Sequence, residues 1–284
     1  MKASVQKLKE EIVSEEREAV SVGYDQLRDH NDFVLQVLGA IRFILDQYGS
    51  GIQETTCGSV ALFLFTKIVR TCRTIRILSM AGYGVEAEVL VRSGLEALIN
   101  LLFITQKDCE ERARLFIEFE HVLAKQYSDR VDRWPKLFVG LDLSQRRKDI
   151  LEQFERVKGN YPKKYFWAAK LIPNGGLKEM AKQVGAGLDL YYDFFYWLSS
   201  NQTHSNIRAA NEYTGLTELG LKYKLGPDLK HSTGPLSMTC DLMIRALECI
   251  SNLFSIQEQR TINELKEQYA RIFGKGDSPL TKSS

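Results

Sequence analysis

Between Val89 and Ile104 the chain is apolar at nearly every position. The exceptions are Arg92, Ser93, Glu96 and Asn100, with Gly94 neutral. Glu88, Arg92, Glu96 and Asn100 step by four, so on a helix they lie along one slowly drifting face. A helix that is apolar on its other faces has to be surrounded by protein. Its polar stripe then faces either a thin strip of solvent or an enclosed polar site.

The same helical period runs through most of the 284 residues. It predicts helices over Val5–Val20, Asp25–Tyr48, Thr55–Met80, Val85–Thr105, Leu143–Val157, Leu177–Val184, Asp189–Thr203, Ser237–Ser255 and Thr261–Phe273, with Asp108 as N-cap of a helix reaching about Arg133. Asn206–Glu212 continues the aromatic helix after a kink. Leu219–Leu225 alternates between Gly215 and Gly226-Pro227, as a short strand or extended loop does. The expected fold is all-α: a single multi-helix bundle with at most one short extended or β segment near 219–225. Its parts are a peripheral N-terminal helix over 1–22, one helical domain over 23–273, and a flexible tail over 274–284. An apolar fraction of 44% supplies a substantial core, and no linker rich in Pro, Gly or Ser divides the chain.

Composition excludes several classes. Formal net charge is +2, which demands no anionic partner. The five cysteines are scattered and odd in number, with no C-x-x-C, so reduced thiols are expected and a zinc knuckle is not. No H-E-x-x-H, P-loop or dinucleotide fingerprint occurs, and no cofactor or metal is called for. Glu118 and His121 match only half of a di-iron helix motif. The first residues are charged, without an apolar leader core, and no apolar run reaches the roughly 18–20 residues that span a bilayer. A soluble cytoplasmic protein, not in a membrane, is expected.

The residues able to carry chemistry fall in three groups. Arg92 offers an anion-binding fork and Glu96 an orienter or general base, with Glu88, Ser93 and Asn100 beside them. The bland alternative is a ladder of ion pairs from Glu88 through Arg92 to Glu96. On a helix, Asp193, Trp197, Ser200 and His204 share a narrow face. His204 is the best acid–base candidate there, with Asn201 and Ser200 as polar neighbours, although such a run also satisfies a helix end. Arg92, Glu96 and His204 are therefore the candidate catalytic set; Glu88, Ser93, Asn100, Asp193, Ser200 and Asn201 are the candidate binding set. Finally, Lys67, Arg70 and Arg73, together with Lys163 and Lys164 among Tyr161, Tyr165, Phe166 and Trp167, form basic clusters interleaved with aromatics. That pattern suits single-stranded nucleic acid or, more simply, a solvated face.

Ala81-Gly82-Tyr83-Gly84-Val85-Glu86-Ala87, followed by Arg92-Ser93-Gly94-Leu95-Glu96, resembles an uncharacterised bacterial helical family with a Gly-x-x-x-Glu-Ala segment and an Arg-Ser-x-x-Glu motif. The resemblance extends to Ser200–His204 as a Ser-x-x-x-His element and spans roughly Thr55–Leu253. It implies a helical fold and no settled activity. The chain is more distantly similar to HEPN-like bundles of toxin and phage-defence ribonucleases, which carry an Arg four to six residues before a His. Trp197–Thr203 contains no Arg, so Arg92 would have to supply that charge from another helix. The expected function is a binding or regulatory one at a polar site. The alternatives are a metal-independent ribonuclease and a structural interaction protein. A homo-oligomer, RNA or a protein partner fits these readings.

Overall fold

Thr55 opens the first core helix: its side-chain oxygen accepts the Gly58 backbone N–H at 2.9 Å, satisfying one of the donors a helix start leaves open. The computed structural model describes residues 2–49, 55–133, 144–163, 165–173, 175–196, 199, 210–217 and 220–274. Its main helices are α1 (Lys2–Gln26), α2 (Arg28–Tyr48), α3 (Thr56–Met80), α4 (Gly84–Gln106), α5 (Cys109–Arg133), α6 (Ser144–Val157), α7 (Leu177–Val184), α8 (Thr233–Leu253) and α9 (Gln259–Phe273). The fold is an all-α bundle. Among the described residues no helix is long and apolar enough to cross a membrane.

α4 sits at the centre, as its composition requires. Val91, Leu95, Leu98, Ile99, Leu101, Phe103 and Ile104 are buried on it, and α3 and α8 pack against it and against each other. Each such side chain contributes about 1.5–3 kcal/mol relative to exposure. Two glycines set the close approaches. A Cβ at Gly94 would lie 2.9 Å from Leu242 Cδ1 of α8, and one at Gly84 would lie 2.5 Å from the His231 carbonyl. α1 is peripheral, with Val5, Leu8 and Ile12 exposed, and it runs unbroken to Gln26.

Two parts differ from the sequence expectation. The extended segment is half of a hairpin: β1 (Thr214–Thr217) pairs antiparallel with β2 (Gly220–Tyr223), Thr214 opposite Tyr223 and Thr217 opposite Gly220. β1 escapes a periodicity reading because four residues are too short to show alternation. The described part of the aromatic segment Asp189–Thr203 is also not one regular helix. A single α-turn, Leu188–Tyr191, passes into a π-turn at Tyr192–Tyr196. A π-turn adds a residue per turn; Trp197, Ser200 and His204, expected to share a face with Asp193, lie outside the described residues.

Candidate functional site

The polar stripe of α4 meets three different surroundings along its length. At its middle, Arg92 Nε lies 3.3 Å from Glu96 Oε1, with both side chains part-buried. Arg92 also donates to the Tyr196 hydroxyl, and its guanidinium carbon sits 3.9 Å from the Tyr196 ring centroid. Tyr192 stacks on Tyr196 at 4.3 Å, tilted 17°. Burial, then the neighbouring Tyr196, pushes the Tyr192 hydroxyl up to about 12, with Arg92 opposing. The π-turn is thus the element that brings two phenols onto Arg92.

At the stripe's C-terminal end, the Asn100 amide nitrogen donates to the Glu96 carbonyl at 2.7 Å. Its oxygen accepts the Trp167 indole N–H at 2.6 Å. At the N-terminal end, Glu88 faces Glu212 of the turn before β1. Burial, then Glu212, raises the Glu88 carboxyl to about 7. Glu212 Oε2 is in turn 2.6 Å from His231 Nε2. The ladder expected from Glu88 through Arg92 is therefore only half formed: Arg92 pairs with Glu96, and Glu88 belongs to a separate acidic group. The stripe runs from Glu88 to Asn100, about 18 Å of helix, which is long enough to cross from one neighbour to the next.

Arg92→Ala should consequently cost about 1–2 kcal/mol, since the lost pair is only part-buried but a phenol loses its partner too. Urea melts check this; a loss of a few tenths, typical of an exposed pair, would contradict it.

The other candidate residues that the structure describes are spread over several surfaces. Ser93 is half-buried beside Arg92. Asp193 turns away to Lys178, 2.6 Å distant in an open ion pair. Ser200, Asn201 and His204 lie outside the described residues, as does Lys164. Lys67, Arg70 and Arg73 are exposed along α3, whereas Arg76 donates to the buried Asn31 at 2.7 Å. Lys163 reaches the Gly175 carbonyl at 3.3 Å. Other basic side chains leading up to Lys163 are paired, Arg147 with Asp132, Arg156 with Glu152 and Lys158 with Glu155. Its aromatics are not a stacking platform: Tyr161 and Trp167 are core residues, and Tyr165 is the exposed ring. Trp167 packs edge-on to Phe103 and Phe116. Glu118, half of the di-iron pattern, accepts from Arg114 at 2.7 Å and from Asn160 at 3.4 Å.

Sequence reasoning missed Tyr196 and Trp167 as partners of the stripe. The only local signal was the Tyr192/Tyr196 spacing of four; the Trp167–Asn100 bond joins residues 67 apart and leaves no periodic trace.

A groove of about 650 Å³ opens between α3, α4 and α5. Its apolar wall includes Phe63, Leu64, Phe116, Leu123 and Trp167, and its polar groups are Lys67, Glu96, Asn100 and Glu120. A smaller cleft of about 270 Å³ lies between the start of α4 and the hairpin, lined by Glu86, Glu212, Tyr213 and His231. The groove has the size and mixed lining of a small-molecule site.

No curated protein and no solved structure matches the chain. A family model does, over residues 58–220, more than half of the chain and inclusive of the groove walls and the Arg92–Glu96 pair. The chain therefore belongs to DUF5677, a family of unknown function.

Proposed function

We propose that this is a binding or regulatory protein whose ligand occupies the groove between α3, α4 and α5. The observation that carries the reading is the groove itself: about 650 Å³ of largely apolar wall, ending on the Glu96–Asn100 part of the α4 stripe. The stripe's amides and carboxylate are held by Arg92 and Trp167, so the polar edge is set before a ligand arrives. The exposed Lys67 ammonium adds one cation at the rim. An amphipathic molecule with an apolar body and an anionic head matches that lining.

Trp167 makes the test direct. With Trp134→Phe and Trp197→Phe, Trp167 is the sole indole. Its emission should be quenched by energy transfer on adding anilinonaphthalene sulfonate, an apolar dye with an anionic head. Phe63→Glu places a charge on the exposed wall of the groove and should weaken the effect by at least about tenfold. Emission indifferent to the dye, or a response that Phe63→Glu leaves intact, removes the groove from consideration.

A second reading is a metal-independent ribonuclease of the toxin or phage-defence type. It draws on the exposed Lys67, Arg70 and Arg73, which have no ion-pair partner among the described residues. In it His204 is the general acid–base and Arg92 stabilises charge on the phosphorane. Single-stranded RNA should then be cut in EDTA, and His204→Ala should abolish cutting with the melting curve unchanged. RNA that stays intact through prolonged incubation sinks it. A chain that neither takes up the dye nor cuts RNA leaves the reading as a structural interaction protein without a small-molecule site.

A further inference from the structure

The cysteines that are scattered in sequence converge in part. Cys57 is the second residue of α3; Cys109 opens α5 and Glu110 follows it. Both sulfurs and a Glu110 carboxylate oxygen lie within 4.8 Å of one another. The arrangement follows from helix capping across the bundle: Glu110 Oε1 accepts the Cys57 backbone N–H at 3.0 Å, which ties the start of α5 to the start of α3. That N–H first, with the Thr55 and Thr56 groups, holds the Glu110 carboxyl below its ordinary range. Cys57 is 1% exposed, Cys109 is partly open and Glu110 is exposed, so the cluster has one open side.

We propose that Cys57, Cys109 and Glu110 form a binding site for a thiophilic divalent cation of the zinc class. Two sulfurs and one carboxylate oxygen are a donor set such an ion takes, with water completing a tetrahedron. Both cysteines stand in the first turn of a helix, where the N-terminal dipole favours thiolates. Binding forms two metal–sulfur bonds and one metal–oxygen bond and releases two thiol protons to water; no oxidation occurs. Three anionic donors then share one dication in place of repelling one another. The site rests on other residues than the groove, so either reading can fail alone.

The test is titration of the reduced full chain with Cd²⁺ alone, followed by the ultraviolet thiolate-to-cadmium absorption. One equivalent should saturate the band. Affinity should fall by up to about 100-fold for each pH unit of acidification, as the release of two protons requires. Cys109→Ser, which keeps size and polarity, should weaken binding at least about tenfold and diminish the band; Glu110→Gln should weaken binding while leaving the band's sulfur intensity. A parent chain without a band overturns the proposal before any variant is made. A band unchanged in Cys109→Ser, or in the Cys57→Ser/Cys109→Ser double variant, overturns it as well, because the metal is then on other thiols.

Discussion

Arg245→Ala is expected to cost about 3–5 kcal/mol of folding stability, the largest effect of any single charge deletion considered. Arg245 Nε lies 3.0 Å from both carboxylate oxygens of Asp241, one turn earlier on α8, and Asp241 is 2% exposed. The guanidinium also donates to the Ala186 carbonyl at 3.0 Å and lies 5.2 Å from the Tyr191 ring centroid. Burial pushes the Asp241 carboxyl up, and Arg245 is the chief force opposing that rise. Removing Arg245 leaves a carboxylate without its cation deep in the bundle, and the folded state must either protonate it or tolerate it. Urea melts of the parent, Arg245→Ala and the Asp241→Ala/Arg245→Ala pair check this. The double variant should recover part of the loss, because no uncompensated charge remains. A single variant within about 1 kcal/mol of the parent would show that water reaches Asp241. The consequence extends to the candidate site: the Ala186 turn leads directly into Tyr191 and the π-turn that holds Arg92.

The parts of this fold that were legible in the sequence are those written by local rules. The Thr56–Met80 helix and the Leu177–Val184 helix follow from apolar spacing and from the glycines that come after them. The central position of α4 follows from its lack of any polar face besides one stripe. What that stripe touches was not legible. Glu88, Arg92 and Glu96 at spacing four read as a ladder, yet the helix is long enough to pass three neighbours, and Glu212 competes for the space around Glu88. Tyr196 reaches Arg92 only because the helix widens into a π-turn, which no propensity signals. The three-residue cluster of Cys57, Cys109 and Glu110 is invisible for another reason: its spacing in sequence is set by where two helices begin, and not by a binding loop with a recognisable ligand interval. Single-residue chemistry was readable along the chain, whereas its convergence depends on packing.

Glu88→Gln should stabilise the protein at pH 8 and leave it nearly unchanged at pH 4.5. The Glu88 carboxyl is raised from 4.5 to about 7 by burial and by Glu212, so the folded state holds the proton more tightly than the unfolded chain does. Its contribution to stability is therefore fullest below pH 4.5, is lost as pH rises through about 7, and is level above that. The shift alone corresponds to roughly 3 kcal/mol. Glu88 is only part-buried, so solvent screening reduces the expected difference to about 1–2 kcal/mol, a rise of several degrees in Tm for a chain of this size. Three other groups bear on the measurement: Glu86 and Glu212 add negative charge around Tyr213, whose hydroxyl they raise after burial, and His231 sits 2.6 Å from Glu212. Glu212→Gln separates their roles. It removes the repulsion that acts on Glu88, and should move the parent's acid-side stabilisation to lower pH without abolishing it. Thermal melts at half-unit steps between pH 4.5 and pH 8 resolve the two variants. Parallel curves for the parent and Glu88→Gln across that window would mean that Glu88 titrates alike in the folded and unfolded chains, and that the Glu88–Glu212 approach carries no electrostatic cost.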